Sequence, residues 1–315
     1  MSERAHSPRI AVVVGSGGMK CAAAVGMWKV LHRERIPVDL AVGCSGGAIY
    51  TAAMALGMHP EEAERHTLVM WEGLFRQIHY RSVFRSLLSR WLGFNERTGL
   101  IDDRAIARVM ETLYGDATFD DTRIPLHLAA TDLHTGERVD LDSGRIADAV
   151  RASIAIPVLL RPWRVGGRLL VDGGASDPLP ISIAIREGAD IILAMGFETP
   201  PRAQLDSLLS LAGQTTSIAV NHLLRSTYAF YSAVHHAEVI PLLPSFDQPI
   251  RLSDTHLLPY IIEQGERAIE AELPYLRRLI AAADGVGDRA GPAGQGEAAR
   301  GPARAAAGTL DAETT

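Results

Sequence analysis

Apolar positions along the chain fall into short β-branched runs separated by amphipathic stretches. Residues 10–14 (Ile-Ala-Val-Val-Val) form a five-residue apolar run that stops at Gly15, which predicts a buried strand. Over residues 19–35 apolar side chains recur at helical spacing through Ala22, Val25, Trp28 and Leu31. Charge gathers at Arg33, Glu34 and Arg35, and Pro37 follows, so a helix with its stop is expected. Residues 38–42 read as a second strand, 43–47 as a turn, and 48–56 as a small-residue helix ended by Gly57. Two strands joined by a helix predict a parallel pair with a right-handed crossover.

The alternation continues. Helices are expected over 60–95, 100–114, 146–153, 178–187, 204–236 and 255–283. Strands are expected at 124–130, 137–141, 169–171, 190–195 and 238–243. Strands and helices in alternation predict an α/β fold with a mostly parallel central sheet. No internal repeat is present. From residue 286 onward the only large aliphatic side chains are Val286 and Leu310, too few to offset the entropy of ordering. The expected organisation is one domain over 8–284, with 60–115 as a helical cap-like insertion, and a disordered tail over 285–315.

Composition narrows the function classes. With 47% hydrophobic and 22% charged residues, the 315-residue chain supports a full core. Its net charge of −6 and pI near 6.0 argue against nucleic acid as a partner. Two cysteines, Cys21 and Cys44, make neither a disulfide framework nor a Cys-rich zinc site, and they suit a reducing compartment. No apolar run is long enough to span a bilayer, and the run after the polar first nine residues is too short for a signal peptide. The expectation is a cytoplasmic protein, with peripheral contact to the inner membrane face as an accompanying one.

Three segments carry candidate chemistry, each placed just after an expected strand. Gly43-Cys44-Ser45-Gly46-Gly47 matches the nucleophile-elbow pattern G-x-S-x-G, in which a serine projects from a sharp strand-to-helix turn. A serine N-cap on an ordinary turn is the plainer reading of the same residues. Cys44, at the x position, reads as small filler. Gly15-Ser16-Gly17-Gly18-Met19-Lys20 is a glycine loop whose backbone amides suit an anion. A dinucleotide loop would need glycine where Lys20 stands, and the Walker spacing is absent. The remaining functional reading is an oxyanion hole, with donors at Gly17 and Gly18 worth on the order of 3 kcal/mol each. Asp172-Gly173-Gly174 is either an Asp turn or a carboxylate placed to take the Ser45 proton.

In that order and spacing the residues resemble the bacterial branch of the patatin-like phospholipase family. Its glycine loop with a following basic residue corresponds to Gly15 through Lys20, its elbow to Gly43 through Gly47, and its D-G-[GA] to Asp172 through Gly174. Arg151-Ala-Ser-Ile-Ala-Ile-Pro157 is similar to the family's small-residue segment ahead of a proline. The likeness covers roughly residues 8–200, with two departures: Ser16 interrupts the glycines, and Cys21 stands where glycine is usual. The resemblance implies a three-layer sandwich with helices on both faces of the sheet, and a Ser–Asp dyad of Ser45 and Asp172. It further implies an oxyanion hole at Gly17 and Gly18, elbow glycines Gly43 and Gly47, and supporting positions Lys20, Gly173 and Gly174. The implied substrate is a lipid or fatty acyl ester, with no cofactor and no metal. A broad esterase, thioesterase or acyltransferase would use the same dyad, and a non-catalytic lipid sensor is the reading from another class.

Two further questions stay open at this level. An ordinary α/β-hydrolase would add a histidine, for which His222, His235, His236 and His256 are the candidates after Asp172. Residues 68–94 mix apolar positions (Trp71, Leu74, Phe75, Ile78) with Arg76, Arg81, Arg85 and Arg90. They read either as a core-packed amphipathic helix or as a cap touching lipid.

Overall fold

The structure, a computed structural model, describes residues 7–76, 103–201, 203–205, 208–251 and 253–287. The first strand, β1 (Ile10–Val14), has the predicted bounds. A 3-10 turn (Gly18–Ala22) leads into α1 (Ala23–Arg33), so the helix starts later than the periodicity suggested. Strand β2 (Leu40–Cys44) runs two residues past the expected end, and α2 (Gly46–Ala55) follows at once. Gly43 therefore lies in the strand and not in the turn. Then come α3 (Pro60–Arg76), α4 (Asp103–Tyr114), β3 (Leu126–Asp132), β4 (Arg138–Leu141), α5 (Ile146–Ser153), β5 (Trp163–Val165) and β6 (Arg168–Asp172). The chain continues through α6 (Ile181–Arg186), β7 (Ile191–Met195), α7 (Leu208–Val234), β8 (Glu238–Leu242) and α8 (Leu258–Gly287). The short strand β5 is an addition to the sequence reading. Helix α8 passes the expected boundary at residue 284. The remainder of the expected tail, and residues 77–102 of the cap-like region with Ile78, Arg81, Arg85 and Arg90, lie outside the described residues.

The sheet order is β5-β6-β3-β2-β1-β7-β8, with β4 also paired to β3. Strands β3, β2, β1, β7 and β8 are mutually parallel, whereas β4, β5 and β6 pair antiparallel at one side. Alternate residues of β1 feed opposite cores: Ile10, Val12 and Val14 pack with α1, α2 and α8, while Ala11 and Val13 pack with α6 and Leu224 of α7. This is the period-two pattern of a strand buried on both faces, and it makes the architecture a three-layer sandwich.

The register around β3 determines where the site forms. Strands β4 and β6 overlap on β3 (residues 128–131 and 130–132), so they occupy its opposite edges. Strand β4 likewise overlaps β2, which pairs with residues 126–129. Strand β6 thus continues the edge that β2 leaves. Cys44 pairs with Ala129 and Asp172 pairs with Ala130, the next residue of the same strand.

Helices α3 and α4, inside the expected cap-like segment, belong to the main core on the α1/α2 side. Trp71 is buried, and its Nε1–H donates to Tyr50 Oη at 3.0 Å; Tyr114 Oη–H donates to the Ile49 carbonyl at 2.8 Å. At Trp71 the core reading of the aromatic stripe holds.

Candidate active site

Ser45 sits at the junction of β2 and α2 with φ 55° and ψ −127°. A non-glycine residue in that region costs on the order of 1–3 kcal/mol and persists only where its surroundings hold it. The Ser45 amide donates to Ser153 Oγ at 2.9 Å, and the Ser153 hydroxyl donates to the Ala129 carbonyl at 2.7 Å. The Ser45 carbonyl accepts from the Ala48 amide at 2.9 Å, starting α2. The neighbours must be glycine because other backbone passes so close. A Cβ on Gly46 would lie 2.5 Å from the Gly18 oxygen, and one on Gly47 would lie 2.2 Å from the Val14 oxygen. Tightness at this turn is what leaves the serine hydroxyl as the group that projects from it.

That hydroxyl donates to Asp172 Oδ2 at 2.5 Å. The other carboxylate oxygen accepts from the Gly174 amide at 2.8 Å. The Asp172 amide donates to the Ala155 carbonyl at 3.0 Å, and its carbonyl accepts from Thr131 Oγ1 at 2.9 Å. Ser45 is 4% exposed and Asp172 is 7% exposed. Burial pushes the Asp172 carboxyl up to about 6, against the opposing pull of the Ser45 and Gly174 hydrogen bonds. A carboxylate tuned this way is a stronger base than a solvated one.

The glycine loop borders both groups. The Gly15 amide donates to the Met195 carbonyl at 2.9 Å, and the Ser16 amide to the Pro178 carbonyl at 2.8 Å. Gly18 takes the left-handed backbone, φ 58°. Among the described residues no backbone or side-chain acceptor takes the amides of Gly17 or Gly18. The carbonyl of Gly18 abuts Gly46, and Ser16 Oγ lies where a Cβ on Gly174 would be 3.0 Å away. The loop therefore touches the serine turn on one side and the aspartate turn on the other.

Lys20 does not join the pair. It is buried, and its ammonium donates to the Glu198 carbonyl and to Thr199 Oγ1, both at 2.8 Å. Burial lowers its pKa, with Cys21 and Glu198 opposing. It fastens the glycine loop to the segment after β7. Cys21 and Cys44 are buried, and desolvation raises both thiols. Cys44 lies beneath Gly173, consistent with its reading as filler. His222, His235, His236 and His256 are exposed, and the polar partner of the Ser45 hydroxyl is Asp172 and not an imidazole. Among the described residues no cluster of three or more His, Cys, Asp or Glu is arranged to hold a metal ion.

The family model described as patatin-like phospholipase matches residues 12–185, more than half of the chain. The chain belongs to the patatin-like phospholipase family. An uncharacterized NTE family protein of Mycobacterium tuberculosis is 30% identical over 228 residues, covering 71% of this chain and 58% of that protein. The lysophospholipase nte1 of Emericella nidulans is 27% identical over 215 residues, covering 66% of this chain and 13% of that one. The chain thus spans little more than half of the first relative and a small part of the second. Human GIVD cytosolic phospholipase A2 shares the fold with a TM-score of 0.51 at 11% identity, over 89% of this chain and 63% of that one. Within the patatin-like frame, sequence reasoning missed Ser153, Thr131 and Ala155 as positioning groups. The available signal was the small-residue segment from Arg151 to Pro157, where one serine stands among Ala and Ile.

Proposed function

We propose that this patatin-like protein is a serine hydrolase of lipid carboxylic esters, acting through Ser45 and Asp172. The observation that carries the reading is the 2.5 Å hydrogen bond from Ser45 Oγ to a buried carboxylate whose pKa is pushed up to about 6. As the Ser45 oxygen attacks the ester carbonyl carbon, its proton passes to Asp172 Oδ2. The carbonyl oxygen becomes an anion and takes hydrogen bonds from the Gly17 and Gly18 amides. The tetrahedral intermediate collapses to an acyl-serine, and Asp172 returns the proton to the departing alkoxide. Water then repeats the sequence: Asp172 takes its proton, the new hydroxyl bonds to the acyl carbon, and Ser45 is restored with release of the fatty acid.

Apolar side chains line the flank of α2 beyond the nucleophile. A small apolar recess, with room for about one water, is lined by Ile49, Tyr50, Ala53, Met70 and Leu113, among others. Ile49 and Ala53 lie one and two turns along α2 from Ser45. At that size the recess holds no acyl chain, so the lipid reading rests on the family the chain belongs to. The printed name of the Emericella relative, a lysophospholipase, also supports a lipid substrate. We read the protein as acting at the cytoplasmic face of a membrane, where such esters are found.

The test is covalent labelling by a fluorophosphonate beside a panel of phospholipids, lysophospholipids and p-nitrophenyl esters. Wild-type protein is expected to label and to release free fatty acid; Ser45→Ala is expected to do neither. Labelling that survives Ser45→Ala sinks the proposal. Acyl transfer to an added alcohol in preference to water would assign the same dyad to an acyltransferase.

A further inference from the structure

Helix α7 packs one side against the sheet and leaves the other in solvent. Of the large apolar side chains exposed by 40% or more among the described residues, Leu211, Ile218, Leu223 and Phe230 are on this helix, and Leu205 lies just before it. At 100° per residue the four helical positions fall within an arc of about 140°. That arc also carries Thr215, Ala219, His222, Ser226 and Ala229 and holds no Asp, Glu, Lys or Arg. Three consecutive hydroxyls, of Thr215, Thr216 and Ser217, bond back to the carbonyls of Leu211, Ala212 and Gly213 at 2.8–3.0 Å. Their donors are satisfied within the helix, so they need no water. Arg225 is the one charged residue from 208 to 234, and its guanidinium lies on both oxygens of Glu198 at 2.7 and 2.6 Å.

The inner side of α7 reaches the segment after β7 to which the glycine loop is fastened. Asn221 takes the Thr199 amide on Oδ1 at 3.0 Å and donates to the Thr199 carbonyl at 2.8 Å; Tyr228 Oη–H donates to the Ala194 carbonyl at 2.7 Å. Glu198 and Thr199 are the groups that Lys20 of the glycine loop grips, and Phe197 lies under Gly17. The apolar arc is therefore one hydrogen-bonded segment away from the loop that borders Ser45.

We propose that the outer face of α7 is the lipid-docking surface of this protein, lying flat on a bilayer whose headgroups carry no net charge. The inference rests on the lipid-ester reading above. A lipid surface is favoured because the face is apolar and uncharged, and because it adjoins the loop of a site read as taking lipid. No described helix is long and apolar enough to cross a membrane, so the helix rests on the interface and does not span it. Without Lys or Arg on the arc, docking draws on apolar burial and not on attraction to anionic lipid.

The experiment uses the full chain carrying Ser45→Ala, which leaves vesicle lipid intact, with sedimentation on phosphatidylcholine vesicles. Adding Ile218→Ser, Leu223→Ser and Phe230→Ser together is expected to weaken binding at least about tenfold, since three large apolar side chains are lost from the interface. Raised salt, or added phosphatidylserine, is expected to change parental binding by less than about twofold. With Ser45 present, the triple variant is expected to keep its turnover of a soluble p-nitrophenyl ester, which separates lost docking from lost folding. Should that turnover fall, Phe230→Trp supplies the decisive measurement: quenching of its added fluorescence by brominated phosphatidylcholine supports docking, and its absence overturns it. Undiminished vesicle binding by the triple variant also overturns the proposal. So does a parental dimer that the triple variant dissociates, because the face then belongs to a second copy. Absence of soluble-ester turnover and of fluorophosphonate labelling in the chain that keeps Ser45 would instead defeat the hydrolase reading while leaving the vesicle result standing.

Discussion

Ser45 and Asp172 stand 127 positions apart in the chain, and their side chains meet at 2.5 Å because both hang from one strand. The residue before Ser45 pairs with Ala129, and Asp172 pairs with Ala130. Strands β2 and β6 lie along the same edge of β3, one parallel to it and the other antiparallel, and both end where they meet. Each turn off that edge therefore starts at the same point. Ser153 reinforces the meeting from α5, holding the Ser45 amide and the Ala129 carbonyl with one hydroxyl.

The raised carboxyl of Asp172 gives a pH profile with a definite sign. Turnover of a soluble ester is expected to rise as pH passes upward through about 6, because the base works only when ionised. Stability runs the other way. The native state keeps the proton between about 3.8 and about 6, where the unfolded chain has lost it, so stability falls as pH climbs through that window. The loss is on the order of 3 kcal/mol. Asp172→Asn is therefore expected to lower turnover roughly 10²–10⁴-fold and to raise Tm above about pH 7. A variant that loses activity and also melts earlier at that pH would mean the carboxylate stabilises the fold.

Lys20 acts at a distance from the reacting atoms. Lys20→Met keeps the length of the side chain and removes both hydrogen bonds to the segment after β7. If those bonds set the glycine loop, kcat should drop roughly ten- to a hundredfold with KM nearly unchanged, a part of the value of a well-aimed oxyanion donor. Unchanged kcat with a lower Tm would leave Lys20 a purely structural role.

Helices α1 and α8 touch backbone to backbone. A Cβ on Gly265 would lie 1.8 Å from the Ala23 oxygen, and one on Gly26 would lie 1.9 Å from the Ile262 oxygen. Gly265→Ala must push the helices apart, at a cost of about 1–3 kcal/mol or more. Thermal unfolding is the readout. A Tm within error of wild type would show that the two helices separate freely.

The four histidines that an α/β-hydrolase triad would draw on are exposed. Replacing His222, His235, His236 or His256 singly by Ala is expected to leave soluble-ester turnover within about threefold of wild type. A loss above about a hundredfold from any one of them restores a triad, since that is the scale of a missing general base.

Much of this protein was legible in the chain. The β-branched runs, helical spacing and glycine punctuation give the α/β alternation, and the three loop motifs each follow a strand where the structure has one. Those signals are local, because a residue's preference for strand, helix or tight turn depends on its neighbours in sequence. What the tertiary structure alone decided is long-range. Sheet closure put β6 on the edge that β2 leaves and brought Ser153 beneath the elbow. Burial then lifted the Asp172 carboxyl, and the packing of α7 selected which of its faces meets solvent. Pairing register and burial depend on which distant segments are in contact, and a one-dimensional pattern of apolar positions carries no record of that.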